Sequence, residues 1–345
     1  MSIFIKSILL HNFEKNSLLF FKMNQKEVQF FQSLGIEFLG FIGRGAYGEV
    51  FLAHSTKYKC NFVLKKVPCD CFNETEIECL KRLDDIHIVN LYDYYKFEGN
   101  IYMLLEYCPN DLDRLMKDVK SLPHDILVKY CHQVLLSVKA CHDQKIAHSD
   151  IKPSNFLLDK YGHVKITDFG LSTIFTKDPS STTFKGTRAF MAPEMVKDRT
   201  FNPMAADIWA VGVTLYYLAT FSLPFFSLDL SKLTESILRG VYADSIIDDS
   251  LLRQLIARCL EIDPNERATV DELLNSRFFK EVQPIKLNES NIILNRLDSC
   301  TRSHQIVHPK LKIKPLRGSS PSHLIAIAHK LGKPRLILSR TPEPR

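Results

Sequence analysis

His148-Ser149-Asp150-Ile151-Lys152-Pro153-Ser154-Asn155, followed by Asp168-Phe169-Gly170, is the stretch of sequence on which the reading of the fold turns. Moving a phosphoryl group needs a carboxylate to orient the attacking hydroxyl and oxygen ligands for magnesium. Asp150 suits the first task, and Asn155 and Asp168 suit the second. Lys152, two residues past Asp150, can neutralise charge on the moving group. Further on stands Ala192-Pro193-Glu194. One such run can arise by chance, but this ordered set is far more specific.

Working outward, Gly43-Arg44-Gly45-Ala46-Tyr47-Gly48-Glu49-Val50 is a glycine-spaced run. Glycines let a backbone approach phosphates closely and leave N–H groups free to bind their oxygens. A dinucleotide-binding turn uses similar glycines, but there the third one opens a helix. Here Val50-Phe51-Leu52-Ala53 continues as a strand, so the glycines are expected at a hairpin tip. Phe62-Val63-Leu64-Lys65 then ends an apolar strand on a lysine that can reach phosphates. Lys66 points to the opposite face. Glu74, Glu76 and Glu78 on the next helical stretch offer partners for Lys65, and Glu76 is preferred.

The surrounding pattern divides in two. Strand-like runs cover Glu37–Ile42, Glu49–Ala53, Asn61–Val67, Val89–Phe97 and Ile101–Glu106, with a helix over about Asn73–Leu83. From Leu112 to about Lys280 helical spacing dominates, as in Asp125–His142 and Asp248–Leu260. A strand-rich unit preceding a helix-rich one reads as α+β.

These motifs together resemble the eukaryotic protein kinase family, serine/threonine type, over about residues 38–280. The resemblance implies a two-lobed fold, with a small antiparallel β-rich lobe carrying one main helix and a larger, mostly helical lobe. It implies ATP and Mg2+ as cofactors. Gly43, Arg44, Gly45 and Gly48 would cover the phosphates, Lys65 would hold them and pair with Glu76, and Asp150 would be the catalytic base, with Lys152 beside it. Asn155 and Asp168 would bind magnesium. Val50, Val63 and Leu157 would enclose adenine, and Glu106 to Cys108 would form the hinge behind Leu105. Asp207 and Trp209 would lie in a buried central helix, Arg267 would pair with Glu194, and Thr187 would lie near Asp150. Lys152 and Gly186-Thr187 point to serine/threonine rather than tyrosine acceptors.

The sequence departs from the family at several points. Ser149 stands where most relatives have an arginine that pairs with an activation-segment phosphate, so activity is expected to depend little on phosphorylation of Thr182 or Thr183. Phe190 replaces a commoner tyrosine, and Val63 a commoner alanine. The alternative functions are a catalytically weak or pseudokinase-like scaffold and a small-molecule phosphotransferase. The first would normally have lost Lys65, Asp150, Asn155 or Asp168, and the second lacks the Ala192-Pro193-Glu194 segment.

Composition sets the frame. The 345 residues are 45% hydrophobic and 24% charged, which excludes a wholly disordered or collagen-like chain. The net +6 is uneven: from Gln283 to Arg345 there are twelve Lys/Arg against three Asp/Glu, and before that 33 against 36. The expected divisions are a leader over 1–37, lobes over 38–107 and 108–280, and a basic tail over 281–345. Met23 offers an alternative start. The nine cysteines form no zinc pattern, which favours a reducing compartment, cytoplasmic or nuclear. Ile208 to Leu228 is uncharged and long enough to span a bilayer, but the kinase resemblance makes it a core helix. A monomer acting on protein substrates is expected, with no nucleic acid and no membrane span.

Overall fold

The computed structural model describes residues 23–45, 48–175, 179–181, 186–197 and 200–281. Thr182, Thr183 and the basic tail lie outside them.

The strand-like runs build one five-stranded antiparallel sheet. Strands β1 (Ile36–Arg44), β2 (Glu49–Ser55), β3 (Cys60–Pro68), β4 (Leu91–Phe97) and β5 (Asn100–Glu106) take the order β1-β2-β3-β5-β4. Side chains alternate between faces along each strand. Phe51, Phe62, Leu64, Tyr102 and Leu104 therefore meet on the outer face, while Val67, Met103 and Leu105 join the larger core shared with the helical lobe. In register, Val50 lies opposite Lys65, and Lys65 opposite Met103. β4 begins two residues later than its apolar run, because Val89 N–H bonds to Ile166 and Asn90 accepts from Glu106 N–H.

Two helices complete the small lobe, the expected main helix and a second one before the sheet. Helix α1 (Gln25–Ser33) lies within the stretch read as a leader. Asn24 and Glu27 form a reciprocal capping box at its start. One turn on, Phe31 is fully buried and Phe30 stacks on Phe97 at 4.3 Å. Helix α2 (Glu74–Arg82) is capped by Asn73, and its buried Glu76, Ile77 and Leu80 face inward.

The helical lobe is organised around α6. In chain order come β6 (Asn110–Asp111), α3 (Leu112–Asp118), α4 (His124–Asp143), β7 (Ile146–Ala147), β8 (Phe156–Leu158), β9 (Val164–Ile166) and β10 (Thr173–Ile174). Then follow α5 (Pro193–Lys197), α6 (Pro203–Thr220), α7 (Leu230–Arg239), α8 (Ser250–Cys259), α9 (Val270–Leu274) and α10 (Arg277–Glu281). Asn202 caps α6, with Pro203 at its first position, where proline costs no hydrogen bond. α6 is apolar nearly all round because it is nearly all buried, and no helix among the described residues is long and apolar enough to cross a membrane. At Gly212 a Cβ would come within 2.6 Å of Cys259, so α6 and α8 touch where that side chain is missing. Trp209 stacks on Phe225 at 5.4 Å, whereas the adjacent Phe226 is 71% exposed.

Candidate active site

Lys65 meets the cleft between two carboxylates. Its Nζ donates to Glu76 Oε1 and to Asp168 Oδ1, both at 2.7 Å. Burial would lower the Lys65 pKa, but the two carboxylates outweigh it and the ammonium is favoured. Burial likewise pushes the Asp168 carboxyl up, and Lys65 more than offsets this, so the net direction is down. For Glu76 burial prevails over Lys65, and its carboxyl lies above the ordinary range. Of these two carboxyls, Asp168 is the one shifted toward the ionised form. Its backbone is left-handed, at φ 68°, and the next residue, Phe169, is fully buried against the His148 ring. Such a conformation in a non-glycine residue costs energy that the surroundings must supply. Asn73 Nδ2 donates to the Gly170 carbonyl at 3.1 Å and ties this turn to the start of α2.

Asp207 holds the loop that carries Asp150. From α6 its carboxylate accepts the backbone N–H of His148 at 2.7 Å and of Ser149 at 2.8 Å. His142 Nε2 lies 3.2 Å from the same group. Ser149 is forced to φ 65°, and Asp150 follows it into the cleft. Around Asp150, Lys152 Nζ donates at 2.6 Å and Asn155 Nδ2 at 3.1 Å to Oδ2, while the Thr187 hydroxyl donates to Oδ1 at 3.2 Å. Lys152 also reaches Thr187 Oγ1 at 3.1 Å. Gly186 makes the approach of Thr187 possible: its φ is 96°, and a Cβ there would fall 2.6 Å from the Ser149 carbonyl oxygen.

The glycine run is a hairpin between β1 and β2, closed by Gly45 N–H bonding to the Gly48 carbonyl at 2.8 Å. Arg44 lies 3.6 Å from Glu49 across this hairpin, and Ala46 and Tyr47 lie outside the described residues. Val63, Leu157 and Cys108 pack half-buried on the large core, and Val50 is half-buried on β2. Burial pushes the Cys108 thiol up to about 12, so it is not a reactive thiolate. Sequence reasoning missed Lys165. Its buried Nζ lies 3.1 Å from Glu106 Oε2, which also accepts from Asn90 Nδ2 at 2.8 Å, so the Glu106 carboxylate is held from behind. A lone lysine between Val164 and Ile166 was the available signal, because all three residues of β9 are buried.

Glu194 and Arg267 form a two-toothed ion pair, at 2.6 and 2.9 Å, fully removed from water. Arg267 also donates to the carbonyls of Ala205 and Glu261, and its guanidinium lies 5.2 Å from the centre of the Trp209 ring.

Residues 36–279 match the family model described as Protein kinase domain. The chain belongs to the protein kinase family. The kinase domain is 30% identical over 253 residues to CBL-interacting serine/threonine-protein kinase 18 of Arabidopsis thaliana, covering 70% of this chain and 48% of that protein. It is 32% identical over 247 residues to the carbon catabolite-derepressing protein kinase of Saccharomyces cerevisiae, covering 69% and 39%. Against 3-phosphoinositide-dependent protein kinase B of Dictyostelium discoideum the identity is 32% over 262 residues, covering 72% and 29%. The chain thus spans less than half the length of each of these kinases.

Kinases of this family use ATP with Mg2+, and the residues in this cleft fit both. Among the described residues, no group of three or more His, Cys, Asp or Glu side chains could hold a metal ion by itself. Magnesium needs no such cage, since it takes one or two protein ligands and keeps waters and substrate phosphates. Asp168 offers an ionised carboxylate, and Asn155, with its Nδ2 engaged by Asp150, keeps its side-chain oxygen as an acceptor.

Proposed function

We propose that this chain is an ATP-dependent protein serine/threonine kinase, transferring the γ-phosphoryl of Mg·ATP to a protein hydroxyl. The observation that carries the reading is Asp150, fixed among Lys152, Asn155 and Thr187 in the same cleft as the Lys65–Asp168 pair. In this reading Asp150 accepts a hydrogen bond from the substrate hydroxyl and aims its oxygen at the phosphorus. The new O–P bond forms as the bond to the β-phosphate oxygen breaks, and the hydroxyl proton passes to the carboxylate. Lys152 stands where it would stabilise charge on the moving group, and Lys65 where it would bind phosphate oxygens. Magnesium held by Asn155 and Asp168 would supply further charge neutralisation.

A groove of about 300 Å³ between Met191, Met195 and Val196 and the α7 residues Leu230, Leu233 and Ile237 supports a polypeptide substrate, whose apolar side chains it could seat. Met191 and Met195 also line the cavity that Asp150 and Thr187 line. All eight cysteines among the described residues are free thiols, which supports the cytoplasm or nucleus. The chain is read as a monomer that acts on protein and not on nucleic acid. The test is a peptide array phosphorylated by the pure chain, with label expected on serine and threonine and none on tyrosine. Label on no peptide, or loss of discrimination against tyrosine, would overturn the reading.

Ser149 sets the expected regulation. The cavity that Ser149 lines, together with Asp150, Thr173, Ser181, Thr187 and Asp207, has no arginine or lysine among its described lining residues, and a guanidinium is what grips a phosphate best. Phosphatase treatment of the pure chain is expected to leave its transfer rate within about twofold. A loss of activity that rephosphorylation restores would refute this.

A further inference from the structure

Helix α1 lies outside the stretch 36–279 that matches the kinase family, yet it is built into the small lobe. Glu27 is 1% exposed. Its carboxylate accepts from Lys66 Nζ at 2.9 Å, from the Tyr102 hydroxyl at 2.6 Å and from the Asn24 backbone N–H at 3.0 Å. Burial pushes the Glu27 carboxyl up, but these donors together hold it below the ordinary range. A buried carboxylate persists only where charge and hydrogen bonds compensate its lost hydration. Attachment alone would not call for one, since Phe30 and Phe31 already seat the helix on the aromatic outer face of the sheet.

The two groups that Glu27 holds explain what it does. Lys66 and Tyr102 are direct cross-strand partners on β3 and β5. One residue back, Lys65 and Met103 form the next pair, and their side chains face the cleft, because successive residues of a strand alternate. The Lys66 backbone also supports the glycine hairpin: a Cβ on Gly48 would lie 2.1 Å from the Lys66 carbonyl oxygen. A single carboxylate thus fixes both strands at the point where the phosphate-facing lysine and the third glycine of the loop are attached.

We propose that α1 is a positioning element for the nucleotide phosphates, with Glu27 acting through Lys66 and Tyr102 on Lys65 and Gly48. Glu27 is a positioning residue and touches no substrate. The proposal rests on the kinase reading of the cleft.

The test uses the full chain with Glu27→Gln and Tyr102→Phe, and with Phe30→Leu, which loosens the apolar seat at the Phe97 and Tyr95 rings without touching Glu27, Lys66 or Tyr102. Glu27→Gln is expected to raise the Kd for Mg·ADP and the KM for ATP about tenfold, while the KM for peptide stays within about twofold. Amide hydrogen exchange should speed up at Gly48 and at Lys65 to Val67. Tyr102→Phe should move the same quantities in the same direction by less. Phe30→Leu should lower the melting temperature without changing nucleotide affinity. If both network variants bind Mg·ADP like the parent where they are folded, and only melting changes, α1 is structural and the proposal fails. Should Glu27→Gln not fold, Tyr102→Phe decides by the same readouts. A parent chain that binds no Mg·ADP overturns the kinase reading instead, and unchanged exchange at Gly48 and Lys65 then overturns the positioning role on its own.

Discussion

Asp150→Asn is expected to reduce phosphoryl transfer by roughly 10²–10⁴-fold, the usual contribution of a positioned general base. The amide keeps the shape of the carboxylate but cannot take the hydroxyl proton. It also removes the negative charge that holds Lys152 Nζ at 2.6 Å, so the lysine loses its anchor as well. KM for ATP should change little, because Asp150 is held by Lys152, Asn155 and Thr187, whereas Lys65 pairs with Asp168 and Glu76. Steady-state kinetics on a peptide substrate, with circular dichroism to confirm the fold, checks both parts. The scaffold alternative makes the opposite forecast. If the residual activity of the asparagine variant equals that of the parent, the measured transfer is a contaminant and Asp150 has no chemical role.

The second large effect is on stability. Arg267→Met is expected to cost about 3–5 kcal/mol, since it leaves the Glu194 carboxylate buried without its partner. The Ala205 and Glu261 carbonyls lose their donor at the same time. For a domain of this size the melting temperature should fall on the order of 10 °C. Adding Glu194→Gln to the same chain should recover part of the loss, because the uncompensated charge is then gone. Urea unfolding followed by far-ultraviolet circular dichroism provides the measurement. A single variant as stable as the parent would mean that water reaches the Glu194 carboxylate.

Much of the fold was legible from periodicity. The helices read over about Asn73–Leu83 and Asp248–Leu260 contain α2 and α8, which the structure shows capped by Asn73 and Asp249. Alternation along Cys60–Pro68 placed Lys65 and Lys66 on opposite faces, and they meet carboxylates on opposite sides of the sheet. What stayed hidden depends on contacts distant in sequence. Helix α1 carries an Asn24–Glu27 capping box, a local signal that was present but unread, and its burial comes from rings on β4 and β5. Asp207 was placed in a core helix, yet its grip on two backbone N–H groups nearly sixty residues earlier follows only from the packing of α6 on that loop. Lys165 and Glu106 are likewise a pairing that no spacing rule reveals.

Trp209 is the chain's single tryptophan, and it lies fully buried between the Phe225 ring and the Arg267 guanidinium. Its fluorescence emission therefore originates wholly within the helical lobe and carries no signal from the five-stranded sheet. Thermal curves from emission and from a whole-backbone probe coincide only if the two lobes unfold as one cooperative unit. This one indole turns lobe independence into a quantity that can be read without any label.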